Sequence, residues 1–296
     1  MGRPGKQPEA LRAAGMALLI LLVLISVTPF YQSYAFFHPQ RRTSAVTPSY
    51  FAEDYEHVVF SSSDGVELDG WLMPNDASNA LVVVCHGHGS SKGDVIGVAE
   101  MLYRNGYSVF MFDFRAHGES GGDLATLGWL EVEDLKAAIG FVNEMANPAS
   151  IGVLGFSMGG ATAITTAGQT DDIKAVVADS AFADRSRLIA KAVDNNLPPP
   201  FSFLTLLFAR ARGMNLDDNL PISYVQGISP NALLIIQGDS DHLVGLDDAR
   251  LLYDMAEEPK ELWLLDDTPH VAAFHTERTE YERRVIGFFD EHLKGV

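Results

Sequence analysis

Ile151-Gly152-Val153-Leu154-Gly155-Phe156-Ser157-Met158-Gly159-Gly160 is the stretch on which the fold turns. Ile151 to Leu154 is a short apolar run of the kind a buried parallel strand shows. Gly155-x-Ser157-x-Gly159 follows, and then an Ala/Thr-rich helical segment, Ala161 to Ala167. Strand, G-x-S-x-G and helix in that order is the context of a nucleophile elbow. The serine sits on a sharp, strained turn that pushes its hydroxyl out above the sheet. Side chains two residues before and two after it would strike the neighbouring strand and helix, so both positions are glycine. The N–H of Met158 opens the following helix and points to where an oxyanion would form. Five-residue patterns of this kind also arise by chance. The rest of the chain must therefore supply a base, an acid and a second oxyanion donor.

The 296 residues can hold one large domain or two small ones, and 47% of them are hydrophobic, enough for a sizeable core. The formal net charge of −18 argues against nucleic acid, whose phosphates need clustered Lys and Arg, and against electrostatic docking on anionic lipid. The single cysteine, Cys85, excludes an intrachain disulfide and reads as a small buried hydrophobe at the end of an apolar run.

Arg3, Lys6 and Arg12 flank an uncharged, almost wholly apolar stretch, Ala13 to Val27, which Pro29 to Phe37 could extend. A positive flank before an apolar core is a secretory-pathway signal, although fifteen residues fall short of the roughly 20 a span requires. The expectation is a single N-terminal membrane anchor with the catalytic part outside the cytoplasm. The alternative is secretion after cleavage at the small-x-small site Ser33-Tyr34-Ala35. Residues 1–45 are read as signal-anchor and linker, and residues 46–296 as the folded domain.

His57 to Ser61 and Val66 to Leu72 flank Ser62-Ser63-Asp64-Gly65 and read as an antiparallel hairpin. Thereafter apolar strands (Ala80–Cys85, Tyr107–Phe112, Ile151–Leu154, Ile173–Ala178, Ala232–Gln237, Glu261–Leu265) alternate with amphipathic helical segments. That rhythm implies an α/β fold with a mainly parallel, doubly wound sheet and helices on both faces. Its chemistry belongs at the carboxyl ends of the strands. The rhythm breaks over about 182–229, where Phe201 to Phe208 is rich in Phe and Leu. This insertion reads as a small helical cap shaping an apolar pocket.

A serine hydroxyl needs a histidine to take its proton and a carboxylate to fix that histidine's tautomer. In this fold the chain order is Ser, acid, His. Asp239 and Asp241 both follow a strand end and qualify as the acid. His270, after the last strand, is the base, with His275 as its rival. The loop His86-Gly87-His88-Gly89 offers the N–H of His88 as the second oxyanion donor. His86, His88, Asp113 and His117 also raise a metal cluster. The further ligands of a hydrolytic site do not follow, so no metal and no cofactor are expected. Arg115 and His117 read as hydrogen-bonding support for the oxyanion loop rather than as substrate contacts.

Together these residues resemble the α/β-hydrolase superfamily, in its small serine-esterase and serine-aminopeptidase-like branch. The likeness covers Tyr50 to Leu293. Asp64-Gly65 with Leu68-Asp-Gly-Trp-Leu72 resembles the branch's opening hairpin, and His86-Gly-His-Gly89 its oxyanion loop. Asp113-Phe-Arg-Ala-His-Gly-Glu-Ser120 is similar to its Asp-x-Arg-Gly-His-Gly-x-Ser block, with Ala116 in place of Gly. In Gly238-Asp-Ser-Asp241-x-x-Val244 the resemblance implies Asp241 as the acid, with Gln237 where a His is usual. It implies hydrolysis of a carboxylic ester or thioester through an acyl-serine intermediate. Ser157, Asp241 and His270 would form the triad, with His88 and Met158 as oxyanion donors. The expected partner is a small-molecule or acyl-chain ester. A peptidase or acyl-protein thioesterase on the same triad, and an inactive membrane-tethered binding protein, are the alternatives.

Overall fold

The computed structural model describes residues 7–295; Arg3 and Lys6 of the expected positive flank lie outside them. Helix α1 (Gln7–Phe37) leads into the sheet strands β1 (Glu56–Ser61), β2 (Glu67–Met73) and β3 (Ala80–Cys85). Helix α2 (Ile96–Arg104), β4 (Ser108–Phe112), α3 (Glu131–Ala146), β5 (Ser150–Phe156), α4 (Met158–Ala167) and β6 (Ile173–Asp179) follow. Then come α5 (Arg185–Asp194), α6 (Phe201–Ala211) and α7 (Pro221–Tyr224). The chain closes with β7 (Ala232–Gly238), α8 (Leu246–Met255), β8 (Lys260–Leu265), α9 (Ala273–Thr276) and α10 (Arg278–Phe289).

The eight strands form one sheet in the order β1-β2-β4-β3-β5-β6-β7-β8. β1 and β2 pair antiparallel, as do β2 and β4, and every other pairing is parallel. The expected hairpin turn is present. Ser62 and Val66 are joined by a 2.8 Å N–H to carbonyl bond, and Gly65 takes a left-handed φ of 85° there. From β3 the chain crosses to β4 on one side and then over to β5 on the other. This reversal leaves a crevice beyond the carboxyl ends of β3 and β5, where ligands bind in open α/β sheets.

Period-two alternation with both faces covered explains why the central strand β3 is apolar and buried throughout. Leu81, Val83 and Cys85 pack with α3 and α4 residues such as Leu135 and Ile164. Ala80, Val82 and Val84 pack on the other face with α2 and α10 residues such as Leu102 and Val285. Both faces are covered, so each buried Val or Leu contributes about 1.5–3 kcal/mol to folding. Cys85 is fully buried and burial pushes its thiol pKa up, in keeping with a packing role.

The N-terminal helix is longer than the apolar run Ala13 to Val27. It continues to Phe37, with Pro29 inside it. Its last turns pack on α6: the Phe30 and Phe208 rings meet edge to face at 5.8 Å, and the Arg212 guanidinium lies over Tyr34 at 5.0 Å. Phe37 is buried in the core, and its carbonyl accepts the Ala125 N–H at 3.0 Å. Further on, Arg41 donates to the carbonyls of Ser120 and Gly122.

Helices α5, α6 and α7 lie between β6 and β7, within the stretch where the strand rhythm breaks. Arg185, at the start of α5, is fully buried and has no carboxylate partner among the described residues. Its guanidinium donates to the carbonyls of Leu127, Asn215, Asp218 and Asn219, pinning the inserted segment to the loop after β4. Burial lowers its pKa to about 10.

Candidate active site

Ser157 stands between β5 and α4 at φ 50° and ψ −112°, a backbone conformation sparsely populated by non-glycine residues. The flanking glycines permit it. A Cβ on Gly159 would come 2.5 Å from the Cys85 carbonyl oxygen, and one on Gly155 would run into the Gly159 carbonyl. The Ser157 N–H donates to the Asp179 carbonyl at 2.8 Å, tying the elbow to β6.

His270 follows β8, and its Nε2 lies 3.0 Å from the Ser157 Oγ. Its Nδ1 lies 2.6 Å from Asp241 Oδ2. A carboxylate can only accept, so Nδ1 carries the proton and Nε2 is left to accept from the serine. Asp241 is held on both oxygens. Oδ1 accepts the N–H groups of Leu243 and Val244, each at 2.8 Å, and Oδ2 also accepts from the Gln237 side-chain amide at 3.0 Å. Burial raises the Asp241 pKa, but the bonds from His270, Val244 and Gln237 outweigh it and carry the carboxyl below its usual value. Gln237 thus supplies a donor to the acid.

Asp239 is exposed and bonds the hydroxyl of its neighbour Ser240, so it plays no part in this cluster. His275 is exposed at the cavity edge, its ring 5.3 Å from that of Phe274. Met158 and His88 both line the cavity, and neither main-chain N–H donates to a protein acceptor among the described residues.

The loop carrying His88 is braced by imidazoles. His117 Nε2 accepts the Gly89 N–H at 3.0 Å, and His86 Nε2 accepts the Phe114 N–H at 3.0 Å. Both contacts need neutral rings. Burial lowers the pKa of His86, His88 and His117, the last to about 2. Arg115 pairs with Asp134 at 2.7 Å and Asp64 at 2.8 Å, so it too is committed to structure.

The residues that raised a metal cluster are therefore occupied by the protein's own groups. Asp113 accepts from Lys92 Nζ at 2.6 Å. Another trio, His57, Asp69 and Glu119, brings three donor groups together. Lys92 Nζ already sits 2.8 Å from Asp69 and 2.9 Å from Glu119, supplying the positive charge a metal would bring.

A cavity of about 360 Å³ opens over the serine, within the size range of small-molecule sites. Its walls are mainly apolar, including Phe36, Leu127, Phe156, Phe182, Leu188 and Phe274. Two contributors escape sequence reasoning. Phe36 belongs to the N-terminal helix, far from the site in the chain. Ser180, just past β6, donates its hydroxyl to Asp179 Oδ1 at 2.9 Å and accepts the Val271 N–H at 3.0 Å, next to His270. Ser180 and Val271 both have positive φ, 57° and 49°, so this bond joins two strained turns. A polar residue after a strand end was the only signal for Ser180.

Comparison with known proteins agrees with this architecture. The family model for serine aminopeptidase, S33, matches residues 76–220. The chain is 31% identical to the Escherichia coli (strain K12) protein YfhR over 245 residues, covering 79% of this chain and 80% of that one. Among solved structures it is similar to the Pyrococcus furiosus esterase Pf2001, with a TM-score of 0.76 at 31% identity over 87% of this chain and 98% of that one. A shorter likeness, 36% over 118 residues, links 38% of the chain to 37% of the Aspergillus aculeatus thiohydrolase aneE.

Proposed function

Because this chain belongs to the α/β-hydrolase superfamily and is a hydrolase of that family, we propose that it is a serine carboxylesterase tethered to a membrane by α1. The observation that carries the reading is the unbroken relay Ser157 Oγ, His270 Nε2, His270 Nδ1, Asp241 Oδ2, with steps of 3.0 and 2.6 Å. Ser157 Oγ attacks the ester carbonyl while His270 Nε2 takes its proton. The carbonyl oxygen becomes an oxyanion held by the N–H groups of His88 and Met158. Each such donor is worth about 100-fold or more in rate. Collapse expels the alcohol, which receives the proton from His270, and leaves an acyl-serine. Water then repeats the sequence, and acid and free enzyme result. Asp241 keeps Nδ1–H in place and stabilises the imidazolium formed in both steps.

The apolar cavity suits an acyl group better than a charged peptide. A thioester is a second reading, favoured by the likeness to a thiohydrolase, because the same relay cleaves it. The chain divides in this proposal into residues 1–45, signal-anchor and linker, and residues 46–296, catalytic, with the cap over about 182–229. Among the described residues one helix is long and apolar enough to cross a membrane, Leu11–Phe37. Ser33 is fully buried within that helix, which favours the uncleaved anchor over a cleaved signal peptide.

The test is labelling of the full-length chain, in detergent, with a fluorophosphonate probe. Wild type should label and Ser157→Ala should not. A folded wild type that fails to label would sink the serine-hydrolase reading.

A further inference from the structure

Resting on the esterase reading above, we propose that the cavity takes the acyl chain of an uncharged or zwitterionic lipid ester directly from the bilayer that α1 crosses. The face of α6 carrying Phe203 and Leu207 is then seated in that bilayer's interface.

The first observation is one of length. The apolar part of α1 has 27 residues, Leu11–Phe37. At about 1.5 Å per residue it is about 40 Å long, against a hydrocarbon core of about 30 Å. A span of about 20 residues counted from Ala13, just after Arg12, ends near Gln32. Phe36 lies about one helical turn further on, and Phe36 is a wall of the cavity. This wall of the cavity therefore stands about 6 Å beyond the hydrocarbon boundary, counted along the helix.

The second observation is what lies beside that point. α6 packs along the emerging turns of α1, through Phe208 on Phe30 and the Thr205 hydroxyl on Gln32 at 3.4 Å. On its outer side Phe203 is 65% exposed and Leu207 is 50% exposed. They are four residues apart, so they share one helix face. From Ala13 to Val23 the exposed residues of α1 are all apolar or glycine, and Phe203 and Leu207 add to the exposed apolar surface of this end of the molecule. Arg212 lies against α1, its guanidinium 5.5 Å from the Phe30 ring and 5.0 Å from that of Tyr34, as a side chain does that rests on apolar surface with its charge in the headgroup layer. A helix with an apolar face and basic end lies in such an interface rather than across it.

The third observation selects the lipid. A chain of net charge −18 is repelled by an anionic surface, so attraction must come from apolar burial and the tether. A neutral or zwitterionic acyl ester fits both this charge and the apolar walls. The tether also holds the cavity at a fixed height, so substrate reaches it by lateral diffusion rather than through water.

Full-length protein in phosphatidylcholine nanodiscs tests this with two esters. 4-Methylumbelliferyl palmitate is dissolved in the bilayer, and 4-methylumbelliferyl acetate is supplied in water. Phe203→Asp combined with Leu207→Asp should lower palmitate turnover at least tenfold and leave acetate turnover unchanged. Equal loss on both esters, or no loss on palmitate, would overturn the proposal. A wild-type dimer that the double variant converts to monomer with palmitate turnover intact would also overturn it, assigning the face to a second copy. Wild type that cleaves neither ester would overturn the esterase reading itself, a result separable from all the others.

Discussion

The Nε2 of His88 lies 2.7 Å from the main-chain carbonyl oxygen of Phe36, joining the loop after β3 to the last turn of the N-terminal helix. A carbonyl only accepts, so this imidazole donates and its loop is held at the height of α1. His88→Ala keeps the backbone N–H proposed as an oxyanion donor but frees the loop. kcat for a short-chain ester should fall about tenfold with a smaller change in KM, as expected when a transition-state contact is loosened. Steady-state kinetics check this. An unchanged kcat would make the bond irrelevant to catalysis.

Ser180 is a positioning residue for His270. Ser180→Ala leaves the Val271 N–H without its acceptor and lets a strained turn relax. We expect kcat to drop several-fold with KM nearly constant, and a stability loss of about 1 kcal/mol from the missing hydrogen bond. A purely structural role would lower the melting temperature without that split between kcat and KM.

Acid should destabilise the protein before most carboxylates titrate. The imidazoles of His86, His88 and His117 are lowered by burial, His117 to about 2, while the unfolded chain binds protons on them below about 6.5. Stability is therefore complete above pH 6.5 and lost as pH falls from there toward 2. His117 alone accounts for about 2 kcal/mol at pH 5, on the order of 5 °C in melting temperature. Asp179 works the other way: burial pushes it up to about 6, so it favours the folded state as pH falls. Asp134, also raised by burial, acts in the same sense, whereas Asp64 and Asp241, lowered by their hydrogen bonds, act with the three imidazoles. Melting curves at pH 7.5 and pH 5 measure the net drop, and His117→Gln should narrow it. A drop of equal size in that variant would contradict the assignment.

Gly159→Ala should abolish the folded elbow. Its Cβ would meet carbonyl oxygens of Cys85 and His86 at 2.5 and 2.6 Å, both main-chain atoms that cannot swing away. A loss of about 3 kcal/mol or more and no ester turnover are expected. A soluble, active Gly159→Ala variant would mean the turn is looser than its geometry.

What was legible in the sequence is what leaves a fixed pattern along the chain. The elbow can be read because its two glycines stand at fixed spacing about the serine, Gly155 against the Gly159 main chain and Gly159 against the Cys85 and His86 carbonyls beside it, and the parallel sheet because both-face burial makes a central strand such as β3 apolar along its whole length. The acid could not be separated on spacing alone, since Asp239 and Asp241 both follow β7. The turn chooses between them by aiming the N–H groups of Leu243 and Val244 at Asp241. The extension of α1 through Pro29 to Phe37 was legible as a continuation of the apolar run, but the partners that hold its last turns, Phe208 and Ala125 among them, lie far along the chain and left no local mark. Phe36 as a cavity wall, and the bond from Ser180 to Val271, are products of tertiary packing with no local signature.

The burial of Ser33 and the placement of Phe36 turn a question of protein maturation into one of enzyme chemistry. A peptidase cutting after Ala35 would make Phe36 the new N-terminus and leave its ammonium group against the apolar wall of the cavity. The same cut would remove the aromatic residues on which α6 rests. If α1 is the tether proposed above, release from the membrane and loss of a finished cavity would be one event, and the working lifetime of the protein would be set by how long the helix stays whole.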